Sequence, residues 1–575
     1  MHTINKHPVA RIASFGARQV LPLSAALLFG MAAPATHAFC GFFAGKADAS
    51  LFNEASQVVI ARDGNRTVLS MQNDYKGPLS EFALIVPTPT VLKQGQVRVA
   101  EKTTFERLDA YSSPRLAEYH DHDPCRVSFN WDWIVRNPSA PQPYPVPAPM
   151  MSRRAEMADS AGRAKALGVT VEAAFTLEEY DIVTLSATQS NGLETWLRQN
   201  GYKIPKGASA ALRPYINQGM KFFVARVNLK EQLKTGYSYL RPLQFAFESE
   251  KFMLPMRLGM LNAPPDKAQD LIVYVLTRGG RVESSNYRTV KLPANVNLPA
   301  FIKPKFKDFY QALFEHSSKV EDFKAVFTEY FWDMAWCDPC AANPLSGEEL
   351  RKAGAFWVSG SAGSGGAGSG GAQPALLTRL HVRYTPKTFA EDLMFTQTGD
   401  RQNWQTRYVV QNPYGGSVAQ CNAAVAAMDC AAMCKPRLEQ IAATLKANPD
   451  WLNPKYKDRS QVNLANECET TCTASKQTGI DAAFNYYAQQ LPARVGNEKQ
   501  TLARLTGWGM SEIDGMPGAR DLDRHAGAQR LQLVPRLEVE PEPAKVPQAI
   551  EPEPSTWWQR LFGTSPSNNG GAAHK

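Results

Sequence analysis

Two cysteines separated by two residues are the side chains with the most evident chemistry in this chain. Cys337 and Cys340 lie in the run Trp336-Cys337-Asp338-Pro339-Cys340. In a redox loop, Cys337 would attack a disulfide as a thiolate and Cys340 would resolve the mixed intermediate. The residues after Cys340 do not continue as a long amphipathic helix, so the pattern favours a static Cys337–Cys340 disulfide. Thiol-disulfide exchange and a metal pair remain the alternatives.

Four further cysteines form a twin motif, Cys430-x-x-x-Cys434 and Cys468-x-x-x-Cys472. A spacing of four places both cysteines of a pair on one face of a helix. Two antiparallel helices can then be joined by the disulfides Cys430–Cys472 and Cys434–Cys468. Zinc bound by the four thiolates is the alternative, and an oxidising compartment favours the disulfides.

The remaining cysteines are Cys40, Cys125 and Cys421. Cys40 and Cys125 bracket the first group of predicted strands, so we expect them to pair. Because the chain has nine cysteines, one must stay outside any intrachain disulfide, and Cys421 is the expected free thiol.

A metal site is a weaker hypothesis at His120-Asp121-His122-Asp123. On an extended strand His120 and His122 point one way and the aspartates the other, so only one pair can share a metal. A solvated loop is the plainer interpretation. The sequence has no Gly-x-Ser-x-Gly, His-Glu-x-x-His or phosphate-loop motif, so common hydrolases and nucleotide enzymes are disfavoured, and no cofactor is expected.

The first 38 residues have the pattern of a signal peptide. Basic residues without acids precede the apolar stretch 20–33, and Thr36-His37-Ala38 supplies small residues for cleavage. The apolar stretch is too short to span a bilayer, and no later segment has 18 apolar residues. We therefore expect a chain exported to the periplasm or secreted, without a transmembrane span.

The charge distribution gives no sign of nucleic-acid binding. The formal net charge is +9, and Lys and Arg alternate with acidic residues instead of forming a basic stripe. A protein or envelope partner is expected instead. Near the carboxyl terminus Trp557, Trp558, Leu561 and Phe562 have the composition of a short docking or membrane-interface segment.

The predicted fold class is α+β, with β-rich, sandwich-like domains and short helices, then a disulfide-stapled helical hairpin and a disordered tail.

Strand 376–384 alternates apolar residues with Arg379, His381 and Arg383, which predicts an exposed face and a surface histidine. The expected segments are a signal peptide (1–38), an N-terminal β-rich unit (39–136), a Pro/Ala-rich linker (137–167), a main β-rich α+β domain ending in the Cys-Asp-Pro-Cys segment (168–358), a Gly/Ser tether (359–373), a strand plus helical hairpin region (374–516) and a Pro/Glu-rich tail (517–575).

Eight runs across residues 40–515 resemble, in order and spacing, the exported bacterial family catalogued as Domain of Unknown Function 2330. The resemblance implies no established reaction and transfers no catalytic residues. The Gly/Ser tether and the cysteine-rich stretch 421–487 depart from the family pattern. The runs are Cys40-Gly41-Phe42-Phe43, Val86-Pro87-Thr88-Pro89, Arg107-Leu108-Asp109-Ala110-Tyr111, Tyr180-Asp181-Ile182-Val183, Gly192 to Leu197, Gly219 to Val224, Trp336 to Cys340 and Leu505-Thr506-Gly507-Trp508.

These observations lead to one principal hypothesis and two alternatives. The principal hypothesis is a non-enzymatic, disulfide-stabilised envelope or secreted protein that serves as a structural or interaction module. The alternatives are a thiol-disulfide oxidoreductase that uses Cys337 and Cys340, and a metal-binding module.

Overall fold

Strands from distant parts of the sequence combine into the central sheets of this protein. The structure, a computed structural model, describes residues 42–45, 52–76, 82–126, 168–200, 202, 204–205, 207–235, 240–262, 268–336, 338, 343–358, 374–447 and 461–523. Elements are numbered in chain order.

The described strands are β1 (Phe42–Gly45), β2 (Phe52–Asp63), β3 (Arg66–Lys76), β4 (Phe82–Thr88), β5 (Val97–Val99), β6 (Arg115–His120), β7 (Val169–Leu177), β8 (Tyr180–Ala187), β9 (Lys221–Val227), β10 (Leu243–Glu248), β11 (Met253–Leu254), β12 (Gln269–Thr277), β13 (Val282–Ser284), β14 (Arg288–Lys291), β15 (Val296–Leu298), β16 (Ala325–Asp333), β17 (Leu376–Tyr384), β18 (Leu393–Gln397), β19 (Trp404–Gln405) and β20 (Arg407–Asn412).

The described α-helices are α1 (Lys102–Ser112), α2 (Ser190–Gln199), α3 (Ala208–Asn217), α4 (Leu229–Thr235), α5 (Phe306–Val320), α6 (Gly347–Lys352), α7 (Val418–Ala426), α8 (Cys430–Ala447), α9 (Gln461–Asn485), α10 (Leu491–Thr506) and α11 (Met510–Asp514). A π-helix at Tyr486–Gln490 joins α9 to α10.

The hairpin of β2 and β3 starts the largest sheet. Its strands are rich in β-branched residues, and Gly64, at φ +59°, supplies the left-handed conformation that the two-residue turn requires. The sheet has nine strands in the order β14-β16-β17-β12-β2-β3-β10-β5, with β19 beside β16. Because β12 lies parallel to β2 and antiparallel to β17, strands of the predicted segments 39–136, 168–358 and 374–516 share one sheet.

A second sheet of five antiparallel strands, in the order β1-β4-β9-β8-β7, packs against the first. Their shared core joins Val58, Ile60 and Val273 of the large sheet with Val86 and Phe223 of the small one. Two sheets packed face to face bury the apolar side of each. The predicted α+β class with a sandwich-like β-rich part is therefore confirmed.

Helices cover the outer faces of both sheets. Phe105 and Leu108 of α1 pack on one side of the nine-stranded sheet, against Tyr274 of β12. Leu193 of α2 and Leu212 of α3 pack on the five-stranded sheet. Both faces of each sheet are thus buried, so alternation along a strand does not distinguish a solvent face from a buried one. A small sheet, β11-β18-β13, adds to the shared core.

A three-stranded parallel sheet, β15-β20-β6, decides how Cys125 pairs. His120 of β6 lies opposite Asn412 of β20, and parallel strands end at the same edge of a sheet. The chain after each strand therefore emerges at one place, where a disulfide joins Cys125 to Cys421. The predicted Cys40–Cys125 pair and the free Cys421 are corrected by this finding, because β1, next to Cys40, belongs to the five-stranded sheet instead.

Helices α8 and α9 form an antiparallel pair that we call the arm (430–447 and 461–485). The disulfides Cys430–Cys472 and Cys434–Cys468 join its helices. The predicted stapled hairpin is confirmed. Among the described residues, no helix is long and apolar enough to cross a membrane.

Candidate binding cleft

A cleft of about 630 Å³ lies where the loop after β6 meets the end of the arm. It combines residues that are more than 350 positions apart in the sequence, because the parallel pair β6–β20 brings their elements together. Its lining comprises Asp121, His122, Asp123 and Pro124 from the loop and Ala482, Asn485, Tyr486, Gln490, Leu491 and Arg494 from the helices.

The loop is fixed in place by its backbone. The N–H of Asp121 donates to the carbonyl of Asn412 at 2.9 Å, which extends the β6–β20 ladder by one residue. The N–H of Cys125 donates to Oδ1 of Asp123 at 2.8 Å, and the Cys125–Cys421 disulfide then ties the loop to α7. The positions of His122 and Asp123 are therefore set by the scaffold, as preorganised binding requires.

The Asp121 carboxylate is the centre of the cleft floor. Arg494 donates to both of its oxygens, Nη1 to Oδ1 at 2.8 Å and Nη2 to Oδ2 at 2.7 Å. Gln411 Nε2 donates to Oδ1 at 2.8 Å, and the Tyr486 hydroxyl donates to Oδ2. Burial opposes ionisation, but these donors outweigh it and lower the pKa of Asp121. Burial and the bond to Asp121 together raise the pKa of Tyr486 to about 12.

Glu498 lies one helical turn beyond Arg494 and is 4% exposed. Its Oε1 is 3.5 Å from Nε of Arg494, and no described residue forms a hydrogen bond with that oxygen. Burial raises the pKa of Glu498 to about 7, and the attraction of Arg494 offsets this only in part. Glu498 therefore changes its charge near neutral pH.

The π-helix shapes the opposite wall. The N–H of Leu491 donates to the carbonyl of Tyr486, five residues earlier. In an α-helix residues five apart lie on different sides, whereas this wider turn lets Asn485 and Gln490 line the same cleft. Such bulges are frequent at functional sites. No sequence pattern predicts the π-helix, since α-helical periodicity continues on both sides.

The two histidines predicted as weak metal ligands fall in different surroundings. His122 lines the cleft. His120 is exposed at the end of β6, with Nε2 3.3 Å from Nδ2 of Asn412. Within the described ranges no three His, Cys, Asp or Glu side chains are arranged to hold a metal ion. The metal hypothesis stays a prediction.

Several predicted residues lie outside the described residues: Cys40, Cys337, Cys340, Trp557, Trp558, Leu561 and Phe562. The Cys337–Cys340 disulfide and its redox alternative stay predictions. Two neighbours are described: the Trp336 side chain is 66% exposed, and Asp338 is buried. The Tyr330 hydroxyl donates to Oδ2 of Asp338 at 3.0 Å, so Asp338, one of the two residues between the cysteines, is anchored inward.

A second polar cluster is buried beneath α1 and α5, and sequence reasoning missed it. Arg379 of β17 contacts Oδ1 of Asp109 through Nη1 at 2.7 Å and Oε2 of Glu329 through Nε at 2.5 Å. His381 Nδ1 is 2.6 Å from Oε1 of Glu329, and the His381 ring stacks on Phe314 with centroids 3.7 Å apart. The predicted surface histidine is corrected: His381 is fully buried because helices cover this face of the sheet.

Burial and neighbouring charges shift the pKa values of Glu329 and His381 in this cluster. Burial favours the neutral carboxyl, but His381 and Arg379 lower the pKa of Glu329 to about 2. Burial alone would lower the pKa of His381, and the carboxylates of Glu329 and Asp270 raise it instead. Since the side chains of Arg379, His381 and Glu329 have no exposed surface, the cluster braces the fold and does not meet a ligand.

Fold and disulfides together define a layered α+β protein whose C-terminal helices are crosslinked to its β-rich part. The family model for an uncharacterised protein conserved in bacteria (DUF2330) matches residues 34–396, which is more than half of the chain. The chain belongs to this family. The matched residues include the loop of the cleft, whereas Tyr486, Arg494 and the arm follow them. No curated protein and no solved structure matches the chain.

Proposed function

We propose that this is an exported, disulfide-braced protein of the bacterial periplasm or extracellular space that acts as an interaction module and not as an enzyme. The arm is the observation that carries the proposal. Most of its residues are exposed, and the inward positions of Cys434, Cys468 and Cys472 are occupied by disulfide sulfurs. Such a helix pair depends on oxidation, and disulfides persist in oxidising compartments. The signal-peptide pattern of residues 1–38 supports the same location.

The arm has the surface of a binding element. Met433 of α8 and Phe484 of α9 are 39% and 37% exposed. Exposed apolar side chains on a rigid support bind a partner at little entropic cost, because the disulfides have already ordered the helices. The charged groups of the neighbouring cleft floor are bonded to one another, which also supports recognition over proton transfer.

Location and oxidation are tested together. The full chain, and a variant without residues 1–38, are expressed in a bacterium, fractionated and treated with a thiol-alkylating reagent before denaturation. We expect the full chain in the periplasm or medium with Cys430, Cys434, Cys468 and Cys472 protected, and the shortened chain in the cytoplasm with these thiols alkylated. Full-length protein in the cytoplasm with free thiols would refute the proposal.

Contact by the arm is tested with a photo-crosslinking amino acid at Met433, and at Leu233 of α4 as the control, which is 77% exposed. We expect a discrete crosslinked product in intact cells from Met433 only. The product should disappear when Cys434 and Cys468 are both changed to Ala. Equal labelling from both positions, or none from Met433, would contradict an interaction role of the arm.

A further inference from the structure

Three side chains on the wall of the cleft are available to a ligand. No described residue forms a hydrogen bond with the side chains of His122, Asn485 or Gln490, and all three are exposed. A carboxamide donates and accepts hydrogen bonds, and so does a neutral imidazole. The preferred ligand must therefore present groups that also do both.

The ion pair between Asp121 and Arg494 on the cleft floor disfavours an anionic ligand. Both terminal nitrogens of Arg494 donate to Asp121, so no uncommitted cation faces an incoming phosphate or carboxylate. Asp123 accepts the N–H of Cys125, so its carboxylate is held by the loop. Replacing the contacts between Asp121 and Arg494 would leave a partly buried charge without its partner, which is costly.

An extended peptide is disfavoured by the construction of the walls. Peptides bind by adding to a sheet edge, by laying a helix in an apolar groove or by docking a polyproline helix on aromatic residues. This cleft is lined by a loop and helix side chains, and its apolar residues, including Pro124 and Leu491, are too few for a helix-binding groove.

We propose that the cleft binds a neutral saccharide, with its hydroxyls on His122, Asn485 and Gln490. Hydroxyls donate and accept, as the three side chains do. The volume of about 630 Å³ lies within the range of small-molecule sites. The inference rests on the proposed function, since it assumes binding without turnover and supplies the class of ligand.

The test uses the mature chain with its disulfides intact and a panel of neutral tetrasaccharides: β-1,4-linked N-acetylglucosamine, glucose and mannose, and α-1,4-linked glucose. Binding is measured by saturation-transfer NMR and titration calorimetry. We expect at least one to bind with a Kd on the order of 1 mM or tighter. Asn485→Ala and Gln490→Ala should each weaken it about fivefold, the loss of roughly one hydrogen bond.

Gln489→Ala is the matched control, because Gln489 is an exposed amide beside Gln490 that does not line the cleft. Its affinity should equal that of the wild type. The inference is overturned if no member of the panel binds, if both cleft variants bind as the wild type does, or if acidic tetragalacturonate binds more tightly than every neutral member. The interaction function itself fails separately, through loss of the Met433 crosslink.

Discussion

Asp121 and Arg494 form a bidentate ion pair that joins the loop after β6 to the first turns of α10. Asp121 lies within the segment matched by the family and Arg494 beyond it. The pair therefore holds the C-terminal helices against the family's β-rich part through charge, beside the point where Cys125 and Cys421 hold them covalently.

Arg494→Met should lower the free energy of unfolding by about 2 kcal/mol, because Asp121 would keep a partly buried charge without its partner. Arg494→Lys should cost less, since one hydrogen bond can remain. The pKa of Asp121, lowered in the wild type, should rise in Arg494→Met. In the wild type, the ionised Asp121 side chain stabilises the fold fully above the unfolded pKa of about 3.9. This stabilisation is lost as the pH falls through the pKa of Asp121 in the folded protein. Carboxyl chemical shifts and denaturant unfolding measure both effects, and an unchanged Asp121 pKa in Arg494→Met would contradict the assignment.

Removing the Cys125–Cys421 disulfide should destabilise the protein strongly. The bond joins residues 296 positions apart, and the chain-entropy model gives about 6 kcal/mol for a loop of this size. We expect the double variant Cys125→Ser/Cys421→Ser to unfold at lower denaturant concentration, in a transition that exposes the C-terminal helices first. Peptide mapping of the non-reduced wild type should recover Cys125 linked to Cys421. A Cys125–Cys40 peptide would refute this pairing.

Glu329→Gln should be among the most destabilising single substitutions in the protein. It removes the negative charge that Arg379 and His381 contact in a fully buried setting, and breaking a buried pair costs about 3–5 kcal/mol. The control is Glu315→Gln, because Glu315 is half exposed and pairs with Arg383, which also contacts Asp270. That variant should lose less than about 1 kcal/mol. Equal losses in urea unfolding would refute a special role for the Glu329 cluster.

Glu498→Gln should stabilise the protein above neutral pH. A carboxyl whose folded pKa is about 7 favours folding most below its unfolded pKa of about 4.3, and this contribution is lost as the pH rises through 7. The raised pKa of His381 also makes the protein less stable as the pH rises. The test is therefore the difference in the free energy of unfolding between the wild type and the variant at each pH. We expect a gain of about 2 kcal/mol for the variant at pH 8 relative to pH 5. A pH-independent difference would show that Glu498 titrates normally.

The sequence revealed the features that are local in the chain. The spacing of four in Cys430-x-x-x-Cys434 and Cys468-x-x-x-Cys472 was sufficient to predict the arm, because helix geometry alone aligns those cysteines. The partner of Cys125 could not be predicted, because it depends on the parallel pairing of β6 with β20. The sequence of neither strand contains a pattern that indicates this pairing.

His381 shows a second limit of sequence reasoning. Alternation along β17 separated Arg379, His381 and Arg383 from the apolar residues, and a polar face normally meets solvent. In the structure, the carboxylates of Asp109 in α1, Asp270 in β12 and Glu329 in β16 pair with the basic side chains of β17. No local sequence pattern predicts that these three elements come together.

The linkage of Cys125 to Cys421 also sets a timing requirement on oxidation. A chain that crosses a membrane amino terminus first presents Cys125 to an oxidant 296 residues before its partner. At the usual 5–20 residues per second of synthesis, that interval is roughly 15–60 s. Cys40 is already in reach when Cys125 appears, and Cys337 and Cys340 follow before Cys421 does. If the chain is exported as proposed above, efficient maturation needs either slow oxidation of Cys125 or an isomerase that corrects an early bond.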